Sequence, residues 1–209
     1  QENGTYKLNK FKPSYYMQVS NEVQSQFNIE NSATSRLILH LFNYDRQRLY
    51  WVVNWLAYFF QGLKKSQIAL VLLGVQGAGK GILFNEIFRP LFGEDFTKTI
   101  NDKSLNTNYK GSLVEKTLFF NLDEISANNS SSSIKNFLKA LVTNETITAE
   151  KKFKNLEKET PIYGQILITS NELYALEIEP SDRRFTVFST GINLAYCNFL
   201  GFGSYEALS

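Results

Sequence analysis

Two kinds of apolar patterning divide this chain. Short unbroken apolar runs bounded by turn residues read as buried strands, and apolar positions recurring every three or four residues read as helices. Candidate strands fall at 68–73, 96–100, 117–122, 146–149, 165–170 and 185–189, and the helical spacing at 33–42, 46–61, 80–89 and 131–143. In the second of these helices Leu49, Val52, Val53, Leu56, Phe59 and Phe60 make one stripe. Asp45 is placed to cap its start and Gly62 to end it. The helix from 80 is expected to stop before Pro90. The Asn/Ser run 128–133 reads as a loop whose last serine caps the helix that follows. Residues 1–30 are polar and aromatic with little period. Alternating strands and helices predict an α/β fold, a mostly parallel sheet flanked by helices and preceded by a small α-helical segment. The boundaries expected are a helical segment over 1–66, irregular across 1–30, a core over 67–190, and an unassigned tail over 191–209.

The most informative stretch joins the first strand to its helix: Gly74, Val75, Gln76, Gly77, Ala78, Gly79, Lys80, Gly81 and Ile82. G-x-x-x-x-G-K between strand and helix is the pattern of a phosphate-binding loop. Glycines let successive backbone N–H groups converge on phosphate oxygens, Lys80 adds a point charge, and the helix N-terminus adds unpaired donors. On this reading the chain binds a nucleoside triphosphate, and Lys80 is a surface charge until the nucleotide arrives. Gly81 stands where Ser or Thr commonly offers a hydroxyl to Mg²⁺.

Further polar residues follow strands. The run ending at Asp123 and Glu124 places two acids at the carboxyl edge of the sheet. Asp123 suits Mg²⁺, directly or through water, and Glu124 suits polarising the water that attacks a γ-phosphate. Asn171, after Ile168-Thr169-Ser170, either sits beside Glu124 or simply makes a turn. Arg183 and Arg184 precede the last strand; one either pairs with Asp182 or reaches a neighbouring subunit's phosphate, with Arg183 favoured. Residues 146–163 read as a hairpin. Lys152, Phe153 and Lys154 at its tip either grip a single strand or are solvated charge.

Composition narrows the classes. Of 209 residues, 43% are hydrophobic and 14% aromatic, enough for a core, and the net charge of +2 is too small to announce nucleic acid, so any basic surface is local. One cysteine, Cys197, excludes an internal disulfide, and one histidine, His40, excludes the common zinc sets. His40, between Leu37 and Leu41, reads as structural. No membrane span or signal peptide is legible, which points to the cytoplasm. A start at Gln1 reads as a piece of a longer protein.

In their order and spacing, GVQGAGKG, LFFNLDE, ITAEKKFK, ILITSN and SDRRF resemble the superfamily 3 helicases of the AAA+ class over about residues 33–190. The helices with Trp55-Leu56-Ala57 and Gln61 resemble the phage and plasmid primase–helicase branch, similar to the poxvirus D5-type proteins. The resemblance implies a P-loop NTPase core that hydrolyses ATP with Mg²⁺ and forms a ring, commonly a hexamer, around single-stranded DNA. Nucleotide would lie between subunits, and a primase or polymerase would be fused or associated. It also implies Asn171 as sensor, Arg183 as arginine finger, and Lys152 and Lys154 as DNA contacts. Two other classes remain: an initiator or loader without processive unwinding, and an assembly module with weak turnover, which Gly81 keeps open.

Overall fold

The structure, a computed structural model, describes residues 9–19, 32–105, 110–124, 132–151, 154–171, 178–179 and 181–197. Helices α1 (Tyr15–Gln18), α2 (Ala33–Leu41) and α3 (Arg46–Gly62) precede β1 (Ala69–Leu73). Then come α4 (Lys80–Ile82), a π-helical turn (Leu83–Phe88), α5 (Arg89–Phe92), β2 (Thr97–Ile100), α6 (Asp102–Leu105) and α7 (Lys110–Val114). β3 (Phe119–Asp123), α8 (Ser132–Thr143), β4 (Thr146–Lys151), β5 (Lys154–Pro161), β6 (Gln165–Ser170) and β7 (Phe185–Ser189) complete it. Five strands form one parallel sheet in the order β2-β3-β6-β1-β7, and β4 and β5 pair antiparallel as a separate hairpin.

Strand periodicity sorts the core into two layers. Leu70, Leu72, Phe119 and Leu167 face one side, where Leu37, Leu49, Val52, Trp55 and Phe59 of α2 and α3 pack with Leu83, Phe84, Phe88 and Phe92. Ala69, Val71, Phe120, Leu122, Ile166 and Ile168 face the other, against Ile134, Phe137, Leu138, Leu141 and Val142 of α8. The helical prelude therefore shares its core with the sheet. Phe119 is the hub, its ring 5.0 Å from Phe92, 5.1 Å from Phe88 and 5.9 Å from Trp55. Trp55 also donates its indole N–H to Ile68 O at 3.0 Å, just ahead of β1.

Helix ends differ from expectation in instructive ways. Asp45 does cap α3, accepting from the N–H groups of Gln47 and Arg48 at 2.9 and 3.2 Å. The same helix runs through Gly62, and Leu63 takes the left-handed cap at φ 48° because its side chain packs on the core. The helix from Lys80 continues through Pro90 to Phe92. The π-turn carries the Arg89 N–H to Phe84 O, which widens the helix just where Pro90 lacks a donor and would crowd the preceding turn. Ser133 lies inside α8, which starts at Ser132, and so is not its cap.

One cap comes from across the fold. Lys65 Nζ donates to Leu141 O at 2.9 Å and to Asn144 O, closing the end of α8. Burial lowers its pKa from 10.5 to about 8, opposed by Glu145. The unfolded chain then holds more protons between those values, so stability rises with pH across that interval and levels off below about 8. Thermal melts should show the wild type gaining on Lys65→Met from pH 8 to 10.5; parallel curves would contradict the shift.

Candidate functional site

Strands β1, β3 and β6 end side by side. Leu73 is level with Ser170, and Asp123 with Thr169, so the glycine loop, the acids and Asn171 all leave the same carboxyl edge of the sheet. Backbone bonds fix the three exits to one another: Gly74 N–H donates to Ser170 O at 3.1 Å and Glu124 N–H to Thr169 O at 3.0 Å.

Lys80 lies at the centre. Its Nζ donates to Gly74 O at 2.8 Å, Val75 O at 2.9 Å and Asn171 Oδ1 at 2.9 Å, and the residue is only 8% exposed. The expectation of a surface charge is thus corrected: the loop folds back so that two of its own carbonyls and the end of β6 enclose the ammonium. Burial lowers the Lys80 pKa, while the charges of Asp123 and Glu124 act to raise it.

Thr169 Oγ donates to Asp123 Oδ1 at 2.6 Å, which fixes that carboxylate and leaves its second oxygen uncommitted by this bond. Glu124 sits at φ 52°, a left-handed conformation that costs a non-glycine residue about 1–2 kcal/mol. It is exposed at the mouth of the site. Both acids, Ser170 and Asn171 join Gln76, Gly77, Gly79, Lys80, Gly81 and Ile82 around a cavity of about 210 Å³. One ammonium, a glycine loop and two carboxylates on a single small cavity suit a multi-oxygen anion with a counter-cation. Ala78 is buried beneath the loop, Val75 is exposed on it, and a Cβ at Gly81 would meet nothing within 4 Å.

The arginines lie elsewhere. Ala69 pairs with Phe185 and Leu73 with Ser189, so Arg183 and Arg184 stand at the amino edge of the sheet, about 17 Å of strand from the glycine loop. Arg184 is committed: its Nε and Nη2 donate to the two oxygens of Asp182 at 2.7 and 2.8 Å, which holds the Asp182 carboxyl below its usual range. Arg183 is exposed, and among the described residues it has no ion pair. The hairpin is rooted at this same edge, where Ile162 N–H donates to Glu145 O at 2.8 Å. Lys152 and Phe153 lie outside the described residues, and Lys154 opens β5.

Two contributors to the site carry no motif in the sequence. In the sequence Thr169 is marked only as a residue ahead of Asn171, with no role. Residues 190–194, placed in the tail or at its border, pack against the loop: Thr190 N–H donates to Leu73 O at 2.8 Å and Leu194 N–H to Gly77 O at 2.9 Å. Asn193, four residues beyond the last strand, carried no signal beyond being an Asn beside a Gly-containing turn.

The fold and site define an α/β protein whose parallel sheet gathers a glycine loop, a buried lysine, two acids and an asparagine on one edge. Residues 72–184 match the family described as a family of unknown function, DUF5906, and the chain belongs to that family. It is similar to the DNA primase-polymerase of Nitratiruptor phage NrS-1, 34% identical over 189 residues, which cover 90% of this chain and 25% of the relative. Two solved apo structures of the NrS-1 C-terminal region match all of this chain. One has TM-score 0.81 at 31% identity, with 48% of that region covered. The other has TM-score 0.79 at 29% identity, with 46% covered. The chain thus spans a quarter of the curated relative and just under half of the solved regions. Among the described residues no helix is long and apolar enough to cross a membrane.

Proposed function

We propose that this chain is the ATP-dependent helicase core of a phage-type replication protein, a P-loop NTPase of AAA+ type that acts as a ring on single-stranded DNA. The observation that carries the reading is the convergence of Lys80, Asp123, Glu124 and Asn171 on one cavity beside the glycine loop. The likeness to the C-terminal region of a phage DNA primase-polymerase supports the setting in replication.

The cavity has room for a phosphate chain and leaves a nucleoside outside it. Lys80 would exchange its bonds to Gly74 O, Val75 O and Asn171 for phosphate oxygens. Asn171, released from Lys80, would then face the γ-phosphate, and Glu124 would orient the attacking water. Mg²⁺ fits as an ion that arrives with the nucleotide. Asp123 offers one oxygen not engaged by Thr169, and Mg²⁺ keeps most of its waters. Among the described residues there is no cluster of three or more ligating side chains that would hold a metal alone. When bound, the ion neutralises charge on the phosphates; the residues here position it and the water.

The amino edge carries the other half of the proposal. Arg183 cannot reach its own chain's cavity from the opposite end of a strand, and in a ring it would meet a neighbour's. The hairpin on that edge would place Lys152, Phe153 and Lys154 against DNA. The test measures strand displacement, ATP hydrolysis and single-strand affinity across salt concentrations. Lys152→Ala and Lys154→Ala should weaken binding and unwinding and leave DNA-independent hydrolysis unchanged. Each should lower the salt slope by about 0.7 per engaged subunit, with Lys7→Ala as an inert control. Hydrolysis without strand displacement at any salt would point to a loader, and unchanged slopes would place the DNA contact elsewhere.

A further inference from the structure

After β7 the chain turns back over the glycine loop as a strap, Thr190–Cys197. Its backbone ties down the loop, as Thr190 N–H and Leu194 N–H donate to Leu73 O and Gly77 O. Asn193 lies directly against Gly77: a Cβ at Gly77, which sits at φ 79°, would stand 2.5 Å from Asn193 Nδ2 and 2.7 Å from its Cγ. Asn193 Oδ1 meanwhile accepts the Ala195 N–H at 2.9 Å, capping a short 3₁₀ turn over Leu194–Tyr196. That bond fixes which side of the amide faces the loop. The strap is clipped to α2 as well. His40, 1% exposed, bonds through Nε2 to Ile192 O at 2.8 Å, and Gly191 packs on the His40 carbonyl.

The loop's carbonyls explain why this matters. Leu73 O and Gly77 O are held by the strap and Gly79 O by Leu83 N–H at 3.0 Å, bonds that do not involve Lys80. A carbonyl turned toward the cavity would repel an anion, whereas carbonyls tied elsewhere leave N–H groups to meet it. We infer that Asn193 is a positioning residue for this loop: by packing on Gly77 and capping the strap's turn, it sets the peptide orientation that makes the cavity an anion receptor. The inference rests on the reading of the cavity as a triphosphate site and adds to it a residue outside the cavity wall.

Three substitutions in the full chain test it. Asn193→Ala removes both the packing and the cap, Asn193→Ser restores a cap, and Asn193→Asp keeps the cap but brings a negative charge to Gly77. Readouts are KM and kcat for ATP, competition by inorganic tripolyphosphate, melting temperature, and hydrogen exchange of the 74–81 amides without nucleotide. Asn193→Ala should raise KM and the tripolyphosphate inhibition constant together, by about tenfold, as one lost contact would, with kcat little changed. Its loop amides should exchange faster, and Asn193→Ser should recover most of both effects. Asn193→Asp should melt like the wild type yet bind both anions more weakly.

Wild-type KM and wild-type loop exchange in Asn193→Ala would overturn the inference. So would a fall in activity that simply tracks melting temperature, or weaker ATP binding with tripolyphosphate unaffected, since the strap would then hold the nucleoside. If the wild type binds neither ATP nor tripolyphosphate, the triphosphate reading fails by itself. Loop exchange in Asn193→Ala then still decides whether Asn193 positions the loop.

Discussion

Lys80→Ala is expected to abolish ATP hydrolysis and to lower the melting temperature in the same variant. The first effect follows from the proposed chemistry. An ammonium aimed at developing phosphate charge in a partly dehydrated cavity is worth at least about a hundredfold in rate. The second follows from the structure, because Lys80 is the donor that satisfies Gly74 O, Val75 O and Asn171 Oδ1. Removing it leaves those acceptors without their donor, at a cost of about 1–3 kcal/mol, discounted by relief of the desolvation that lowers its pKa. In a chain of this size each kcal/mol lost lowers the melting temperature by about 2–4 °C. Lys80→Met keeps the apolar stem without the charge and should lose hydrolysis equally while packing better than alanine. A purified Lys80→Ala protein that hydrolyses ATP at the wild-type rate would sink the nucleotide reading. A normal melt with no turnover would show that the three bonds contribute nothing net.

How far the fold was legible depended on the range of the interactions that decide it. β6 at Gln165–Ser170 and β7 at Phe185–Ser189 coincide with the expected strands residue for residue. β6 is buried on both faces and has no reason to alternate, whereas β7 is a half-exposed edge strand. Local chemistry also sufficed for Asp45, whose capping bonds span two and three residues. Pro90 misled because its usual effect on a helix is absorbed by a π-turn, which no local composition announces. Gly62 is the last residue of the helix, but the left-handed position falls one residue later, on the half-buried Leu63 that packs against the core. In the site, residue types and their place after strands were readable, whereas the bonds among them were not. Lys80 to Asn171 spans 91 positions, and His40 to Ile192 spans 152. Such contacts are set by sheet order, with β6 inserted between β1 and β3, and that order is absent from any local window. Which arginine pairs with Asp182 was likewise open, and the geometry shows it to be Arg184.

Mixing two inactive variants, Glu124→Gln and Arg183→Ala, is expected to restore ATP hydrolysis that neither shows alone. Glu124→Gln keeps the shape at the cavity mouth but cannot take up the water's proton, so it should bind ATP and stall. Arg183→Ala leaves its own cavity untouched, because Arg183 stands at the opposite edge of the sheet, yet deprives a neighbour of the guanidinium. In the proposed ring each interface would use Glu124 from one subunit and Arg183 from the next. If variants assort at random, an interface is complete only when an Arg183→Ala subunit presents its glutamate to a Glu124→Gln subunit's arginine. At a fraction f of one variant that probability is f(1−f), so recovered activity should peak at equal mixing, at about one quarter of wild type for independent interfaces. Coupling between subunits would lower the peak without moving it. The control is Arg184→Ala, expected to destabilise through Asp182 and to gain no such recovery, since Arg184 is bound within its own chain. Hybrid rings that demonstrably form, by native mass spectrometry with ATP and single-stranded DNA, and that stay inactive at every ratio would show that Arg183 does not act across an interface.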